Sequence, residues 1–404
     1  MTQTHHRLRT DLPPFPWHRE CPYHPPAHYA MLRETEPVAR VELATGTSAW
    51  LVTRYDLVRQ VLNDPRLSSD RADPNFPYFI PVPPQFRTNA SFLGMDPPEH
   101  TRHRRRVAGA FTTKRVKTMR PHIQQVVDDC LTRMLETGPP ADLVQALSLP
   151  VPTAVICELL GVPQSDLPFF HERTRMMMGG ASSAEERRTG LIELEGFLHD
   201  LVVAKERDPG SDLLSELVAE YRAEEAYDRE ELVSLARLLL VAGHETSANM
   251  ISLGTMTLLE HPDQLALLRQ DPGLAASAAE ELLRYLTVAD LATSRVATED
   301  IELDGVVIRA GEGIIAVGAA ANRDPAAFPD PDTLDIRRTA QHHVTFGFGR
   351  HFCVGADLSR LELEVVFGTL FGRIPSLRMA EPIDALSYKD GAIMYGVYEM
   401  PVTW

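Results

Sequence analysis

Residues 346–355 read Phe-Gly-Phe-Gly-Arg-His-Phe-Cys-Val-Gly, placing a thiol, Cys353, in a glycine-rich loop with aromatic residues on both sides. Directly downstream, Ala356 to Phe371 has helical periodicity, with Leu358, Leu361, Val365 and Leu370 near one face. Cys353 therefore lies just ahead of a helix N-terminus, where exposed N–H groups and the positive end of the dipole favour a thiolate. Gly347, Gly349 and Gly355 let the backbone pass close to something large and flat, and Phe346 can cover the sulfur from water. An anionic sulfur in a dry, donor-lined loop suits a haem iron, because thiolate ligation favours O–O cleavage. The plainer reading is a buried structural cysteine in a tight turn.

Other residues point the same way. Ala242-Gly243-His244-Glu245-Thr246-Ser247 lies inside a long apolar helical pattern. An acid beside a hydroxyl residue there is costly unless something uses it. A threonine hydroxyl can bond the carbonyl four residues back, bending the helix and opening a groove for O₂ and water. Packing is the plainer role of such a threonine. His100 and Arg104 share a helix face and can grip a pair of carboxylates, unless this is a solvated basic helix. Glu281 and Arg284 sit three residues apart on a helix, where a buried pair fixes geometry more than it stabilises.

With these residues in view, the 346–355 run resembles the haem-binding loop of the cytochrome P450 superfamily, Phe-Gly-x-Gly-x-His-x-Cys-x-Gly, with every fixed position present. The resemblance covers about Cys21 to Trp404 and is closest to soluble actinomycete monooxygenases of polyketides, sterol-like molecules and xenobiotics. It implies a mainly α fold, helix-rich around a buried haem with a smaller β-rich region, as a single domain over residues 1–404. It implies haem b with Cys353 as axial ligand, and O₂ as co-substrate. His100, Arg104, Gly243, Arg295, Phe346, His351 and Gly355 would then contact the cofactor, and Glu245 and Thr246 would deliver protons. Glu281 and Arg284 would be completed by Arg338, with Arg337 as the alternative. Substrate would face Phe86, Phe92, Met178, Val288, Ala289, Leu291, Ala292, Ile393 and Met394. The implied reaction is hydroxylation or epoxidation of a medium-to-large apolar natural product. Oxidative C–C or C–N coupling of an aromatic one (an indole, a phenol, a cyclic dipeptide) is the rival. A haem sensor is the rival from another class, and the Glu245-Thr246 pair argues against it. Arg350, Phe352 and Val354 fill variable positions, and Ser247 replaces a more usual threonine.

The elements that must position these residues follow from pattern. Asp228 is an N-cap, with Glu231 completing a capping-box signature, and the helix it opens runs to about Glu260, roughly 48 Å. Val38 to Leu43 and Ala49 to Thr53 read as a hairpin, followed by a helix from Tyr55 to Asn63. Asp73 to Pro98 holds seven prolines among aromatic residues, the composition of an irregular apolar wall. Helices are expected over 98–111, 123–135, 152–160, 165–178 and 185–207, with a Gly/Ser joint at 179–183 suited to a mobile lid. Residues 1–25 read as an extended arm, β-rich parts fall near 38–53, 288–320 and 385–402, and Gly391 to Val402 reads as a hairpin with Ile393 and Met394 at its tip.

Composition narrows the partners. At 404 residues, 44% hydrophobic and 24% charged, the chain has ordinary globular composition. Cys21, Cys130, Cys157 and Cys353 show no paired spacing, which argues against disulfides and zinc and fits a reducing, cytoplasmic setting. The N-terminal segment lacks an apolar core, so neither signal peptide nor membrane anchor is expected. A net charge of −16 disfavours nucleic acid. Against that balance, residues 101–120 carry eight Lys/Arg and no acid. No flavin or nicotinamide fingerprint appears, so a monomer drawing electrons from a ferredoxin and its NAD(P)H-dependent reductase is expected. The ferredoxin would dock near Arg102, Arg105, Arg106 and Lys114.

Overall fold

The computed structural model describes the chain except residues 1–7, 80–81, 83–86, 88–90, 179–181, 224–227 and 391, and except the side chains at 171, 174, 175, 177, 178 and 184. Helices run in the order α1 (Ala27–Thr35), α2 (Tyr55–Asn63), α3 (Glu99–Ala108), α4 (Thr113–Thr118), α5 (Arg120–Thr137), α6 (Pro150–Leu160) and α7 (Leu167–Met178). They continue as α8 (Ala184–Arg207), α9 (Leu213–Ala223), α10 (Arg229–Glu260), α11 (Pro262–Gln270), α12 (Ala275–Leu286), α13 (Gly318–Ala321) and α14 (Ala356–Arg373). The strands are β1 (Val38–Glu42), β2 (Ser48–Val52), β3 (Leu67–Ser68), β4 (Ala141–Asp142), β5 (Ser294–Ala297), β6 (Ile301–Leu303), β7 (Val306–Ile308), β8 (Gly313–Ala316), β9 (Arg378–Met379) and β10 (Pro401–Thr403). The fold is mainly α, as expected. Contacts gather into two compact units: Met1–Arg102 with Glu280–Cys353 and Asp390–Tyr395, and His103–Ala279 with Val354–Lys389 and Gly396–Trp404.

The first unit is built on a five-stranded sheet ordered β1-β2-β8-β5-β3, with β2 and β8 parallel and the other neighbours antiparallel. Strand alternation sends Trp50 and Val52 into one apolar cluster and Ala49 and Leu51 into another, so both faces are covered. The N-terminal arm belongs to the second cluster: Phe15 is fully buried and bridges Leu43. Asp304 and Gly305, both at positive φ, form the tight turn between β6 and β7, where Asp-Gly suits a two-residue hairpin.

Behind this sheet Glu281 and Arg284 form a fully buried bidentate pair, Nε to Oε2 at 2.7 Å and Nη2 to Oε1 at 2.8 Å. Arg338 donates to Glu281 Oε1 at 3.1 Å, while Arg337 is exposed, so the third member is Arg338. Arg284 also reaches the carbonyls of Asn322 at 2.9 Å and Pro331 at 2.8 Å. The Asn322 side chain in turn accepts from Val344 N–H at 2.8 Å and donates to Thr345 Oγ1 at 2.9 Å. The ion pair thereby fixes the two residues that lead into Phe346.

In the second unit, α10 spans 32 residues and packs against α6, α8 and α14. Asp228 caps it, accepting from the N–H groups of Glu230 and Glu231 at 3.0 and 3.3 Å. Only this half of the expected capping box forms. The Glu231 carboxylate instead takes His103 Nδ1 at 2.5 Å, Arg106 Nη1 at 3.3 Å and the Tyr221 hydroxyl.

Two expectations are corrected. The hairpin placed over 391–402 starts earlier: Tyr388 bridges Val397, and β10 pairs instead with β4 and β9. Alternation alone could not tell a local partner from β4, more than 200 residues away, or from β9, outside the expected hairpin. Arg106 is not part of a solvated basic face. It is only 7% exposed and lies over the Tyr221 ring at 3.8 Å, because an acid and an aromatic face distant in sequence meet it there.

Removing one member of the buried triad leaves an unpaired charge, so Glu281→Gln should cost about 3–5 kcal/mol of unfolding free energy. Arg337→Ala should stay within about 0.5 kcal/mol. Denaturant titration of the two variants against the parent checks both.

Candidate active site

The cysteine loop owes its shape to backbone contacts. Gly347 and Gly349 take φ of +73° and +70°. A Cβ on Gly349 would stand 2.9 Å from both Asn63 Oδ1 and the Leu62 carbonyl of α2, so no larger residue fits there. Cys353 N–H donates to the Phe346 carbonyl at 2.8 Å and Phe352 N–H to the Gly349 carbonyl at 3.0 Å, closing the loop. Gly355 then caps α14. Cys353 is exposed, whereas Cys130 and Cys157 are buried. That exposure goes against the buried structural reading for Cys353.

Around this loop the first unit collects positive charge. The His351 ring lies 4.2 Å from that of buried His100, and its Nε2 is 3.0 Å from Ser69 Oγ. Pairing of Ser68 with Val296 brings this segment beside Arg295 on β5. Arg295 is 6% exposed, and its hydrogen bond among the described residues goes to the Ser294 carbonyl at 2.8 Å. Burial pushes its pKa down to about 10, with Arg350 and Arg71 adding to the depression and Asp96 opposing it. Asp96 is itself engaged by Ser69 N–H at 3.1 Å and by the Ser68 hydroxyl. A buried guanidinium with donors to spare, among more cations than anions, fits a ligand bearing carboxylates. Arg71, Arg350, Ser69 and Asp96 were missed in the sequence, since only folding brings them to Arg295. Arg104 is half-buried on α3.

The second unit carries the acid and the hydroxyl. Thr246 Oγ1 donates to the Ala242 carbonyl at 2.9 Å, as its type at that place in a helix suggests. Where Gly243 would bear a Cβ, Ile156 Cδ1 of α6 stands at 3.3 Å, so small size there admits the neighbouring helix. Burial raises the Glu245 pKa and Lys389, with Nζ 3.5 Å from Oε1, opposes that shift. Ser247 Oγ lies 3.4 Å from Ser359 Oγ. Beneath it, Glu362 of α14 is 2% exposed, and burial pushes its pKa up to about 8 with the Ser247 hydrogen bond opposing. Neither Lys389 nor Glu362 belongs to a motif that a sequence reading could single out.

The comparisons bear on this constellation directly. The cytochrome P450 family model matches residues 274–374. A vitamin D3 dihydroxylase of Streptomyces griseolus is 49% identical over 397 residues, covering 98% of this chain and 98% of its own. The chain belongs to the cytochrome P450 family. Pentalenic acid synthase of Streptomyces avermitilis is 50% identical over 391 residues, covering 96% of this chain and 97% of its own. The crystal structure of cytochrome P450 MoxA from Nonomuraea recticatena matches with a TM-score of 0.93 at 51% identity, over 97% of this chain and 98% of that one. As a P450 the protein is an oxidoreductase of the monooxygenase type, and the family uses haem b and O₂. Haem carries two propionates and an iron, and the surplus of cations around Arg295 and the exposed Cys353 thiol fit both. Among the described residues, no helix is long and apolar enough to cross a membrane.

The residues expected to meet substrate are scattered in this P450. Val288, Leu291 and Ile393 line a small cleft with Trp17 and Arg19 of the N-terminal arm and Tyr29 of α1, and the Tyr395 ring lies 4.1 Å from the Arg19 guanidinium. Ala289, Ala292 and Met394 are half-buried, and Phe92 is buried with its ring 6.1 Å from that of His100. Met178 ends α7, but its side chain lies outside the described residues, as does Phe86 altogether.

Between the ordinary carboxyl value of 4.5 and about 8, folded Glu362 keeps a proton that the unfolded chain has released. The contribution of this group to stability therefore falls as pH rises through that window, by up to about 1.4 kcal/mol per unit. Glu362→Gln should remove that slope. Denaturant unfolding of parent and variant at pH 5.5 and 7.5 checks it: the parent should lose ground relative to the variant at the higher pH.

Proposed function

We propose that this P450 is a haem-thiolate monooxygenase in which Cys353 ligates the iron and residues of α10 govern proton delivery. The observation that carries the reading is the exposed thiol in a loop pinned by Asn322, beside a cluster of guanidiniums short of anions. Bound haem supplies the iron at which O₂ is activated for attack on a C–H bond. Arg295, His100, Arg104 and His351 would hold its propionates by charge-assisted hydrogen bonds. Phe346, Gly243 and Gly355 would bound the ring and keep water from the sulfur. Loss of water there strengthens every charge interaction in the site.

On α10, the Thr246 hydroxyl donates a hydrogen bond to the Ala242 carbonyl at rest, which leaves its oxygen lone pairs to accept a proton. Glu245, held partly from water, passes protons forward to that hydroxyl. The substrate is a medium-to-large apolar natural product and the outcome hydroxylation. A vitamin D3 dihydroxylase among the relatives supports both parts of that reading. Product mass separates it from oxidative coupling: one oxygen gained, as against two hydrogens lost in joining two rings.

Electrons arrive from a ferredoxin served by an NAD(P)H-dependent reductase. Exposed Arg102, Arg105 and Lys114 steer an acidic partner. Arg106 takes no part, being buried against Tyr221.

Three outcomes follow for purified holoenzyme. Cys353→Ala should lose the thiolate-type CO-difference band, and a retained band overturns the ligand assignment. Thr246→Ala should keep that band while product per NAD(P)H falls about tenfold and peroxide rises, as expected where a positioned proton donor is lost. Arg105→Glu, or added salt, should slow reduction by ferredoxin about tenfold and leave the CO band untouched. Stopped-flow reduction measures the last of these.

A further inference from the structure

Glu245 is a costly residue to keep in the middle of an apolar helix, and the group that makes it tolerable comes from outside α10. The Lys389 ammonium stands 3.5 Å from Glu245 Oε1 and donates to Asn249 Oδ1 at 3.1 Å, one turn further along α10. The Tyr398 ring centroid is 5.7 Å from the same nitrogen. Lys389 is 7% exposed, and the Glu245 side chain 19%. Among the described residues each is the charged group that acts on the other: burial raises the acid and lowers the amine, and their mutual attraction opposes both shifts.

The backbone around Lys389 is fixed for this purpose. Its N–H donates to the Gly396 carbonyl at 2.9 Å beside the Tyr388–Val397 bridge, and the Tyr388 hydroxyl touches Met256 Sδ of α10 at 3.5 Å. Gly396 has to lack a side chain here: a Cβ would fall 2.1 Å from Asn249 Oδ1, displacing the amide that Lys389 grips. Loop and helix are shaped around one ammonium.

The form of the contact decides what it does. The Arg284–Glu281 pair, which holds the fold, is bidentate at 2.7 and 2.8 Å with neither partner exposed. The Lys389–Glu245 approach is one-pronged and longer, from a compact point charge without a fork to lock the carboxylate plane. Such a contact keeps an acid ionised while leaving it free to turn.

We propose that Lys389 is the positioning residue of the proton relay, holding Glu245 as a carboxylate against its ammonium until the acid takes up a proton and turns to Thr246. The proposal rests on Glu245 being the relay acid. In the step, the Glu245 carboxylate accepts a proton from solvent and passes it to the Thr246 hydroxyl oxygen. The hydroxyl's own proton moves to the oxygen being reduced by electrons from the redox partner. Lys389 keeps its three protons throughout.

The test uses holoenzyme carrying Lys389→Met, Lys389→Arg, Glu245→Gln and the Lys389→Met/Glu245→Gln pair, turning over with a surrogate redox chain. Lys389→Met should raise the solvent deuterium isotope effect on turnover about threefold or more, the scale on which a proton-transfer step becomes limiting. It should also show at neutral pH a carboxylic C=O infrared band, absent from the parent and removed by Glu245→Gln. Lys389→Arg should restore the parent values of both. The pair should match Glu245→Gln alone, because with the acid gone there is nothing left to position. The pair also leaves no unpaired buried charge, so it carries the test where Lys389→Met yields no holoenzyme. Parent-like behaviour of Lys389→Met, or effects that multiply in the pair, overturns the role of Lys389 alone. An unchanged isotope effect in Glu245→Gln overturns the relay itself.

Discussion

A guanidinium cannot readily give up its charge, and Arg295 carries one into the protein with, among the described residues, one backbone carbonyl to receive it. Arg71 and Arg350 add to the same field, and Asp96, already held by two serines, cannot balance them. This surplus constrains everything near the cysteine loop. Charge buried without a counter-charge destabilises the fold, so the arrangement makes sense only with an anionic ligand in view. A haem meets the demand at its propionates while the family's chemistry requires it at the iron. Folding and function thus share one electrostatic cause.

The loop itself is held by a relay of ordinary contacts. A fully buried ion pair returns little net stability, since the attraction barely offsets the lost hydration. What Glu281 and Arg284 supply is direction: Arg284 fixes the Asn322 carbonyl, and the Asn322 amide fixes Val344 and Thr345. From there two backbone bonds and the glycine packed against α2 set Cys353. Thr345 is also held by the Leu283 carbonyl at 2.8 Å and Asn322 by the Thr287 hydroxyl at 2.8 Å, so the loop leans on the end of α12 as well as on the ion pair.

Much of this was legible in the sequence, for a physical reason. Helical periodicity marked α2 to its end residues and α10 from its Asp228 cap to Glu260, because those helices bury a face or a whole circumference. Thr246 and its carbonyl partner lie within one turn, so local chemistry sufficed. Where partners are remote, pattern failed. The basic run at 101–120 looked uniform, yet Arg106 turns inward to Glu231 and Tyr221, while Arg115 pairs with Glu216 and Arg120 with Glu364. The C-terminal strand found β4 and β9 for the same reason. Lys389 and Glu362 escaped notice because nothing about a single lysine or glutamate tells whether a distant helix will enclose it.

Frame and specificity then separate along physical lines. The residues expected to serve the cofactor sit on α3, α10, β5 or a loop fixed by named hydrogen bonds, where half an ångström matters. The residues expected to meet substrate fall instead on the proline-rich segment, the end of α7, the turn before β5 and the exposed tip at Ile393. Loops of this kind change shape at little cost to the core they join. A frame that stays rigid where protons move, and yields where carbon skeletons differ, lets one chemistry serve unrelated substrates. Lys389 marks the seam: its backbone belongs to the C-terminal loop, and its charge answers to α10. A change in that loop can therefore reach the Glu245 carboxylate without altering α10 itself.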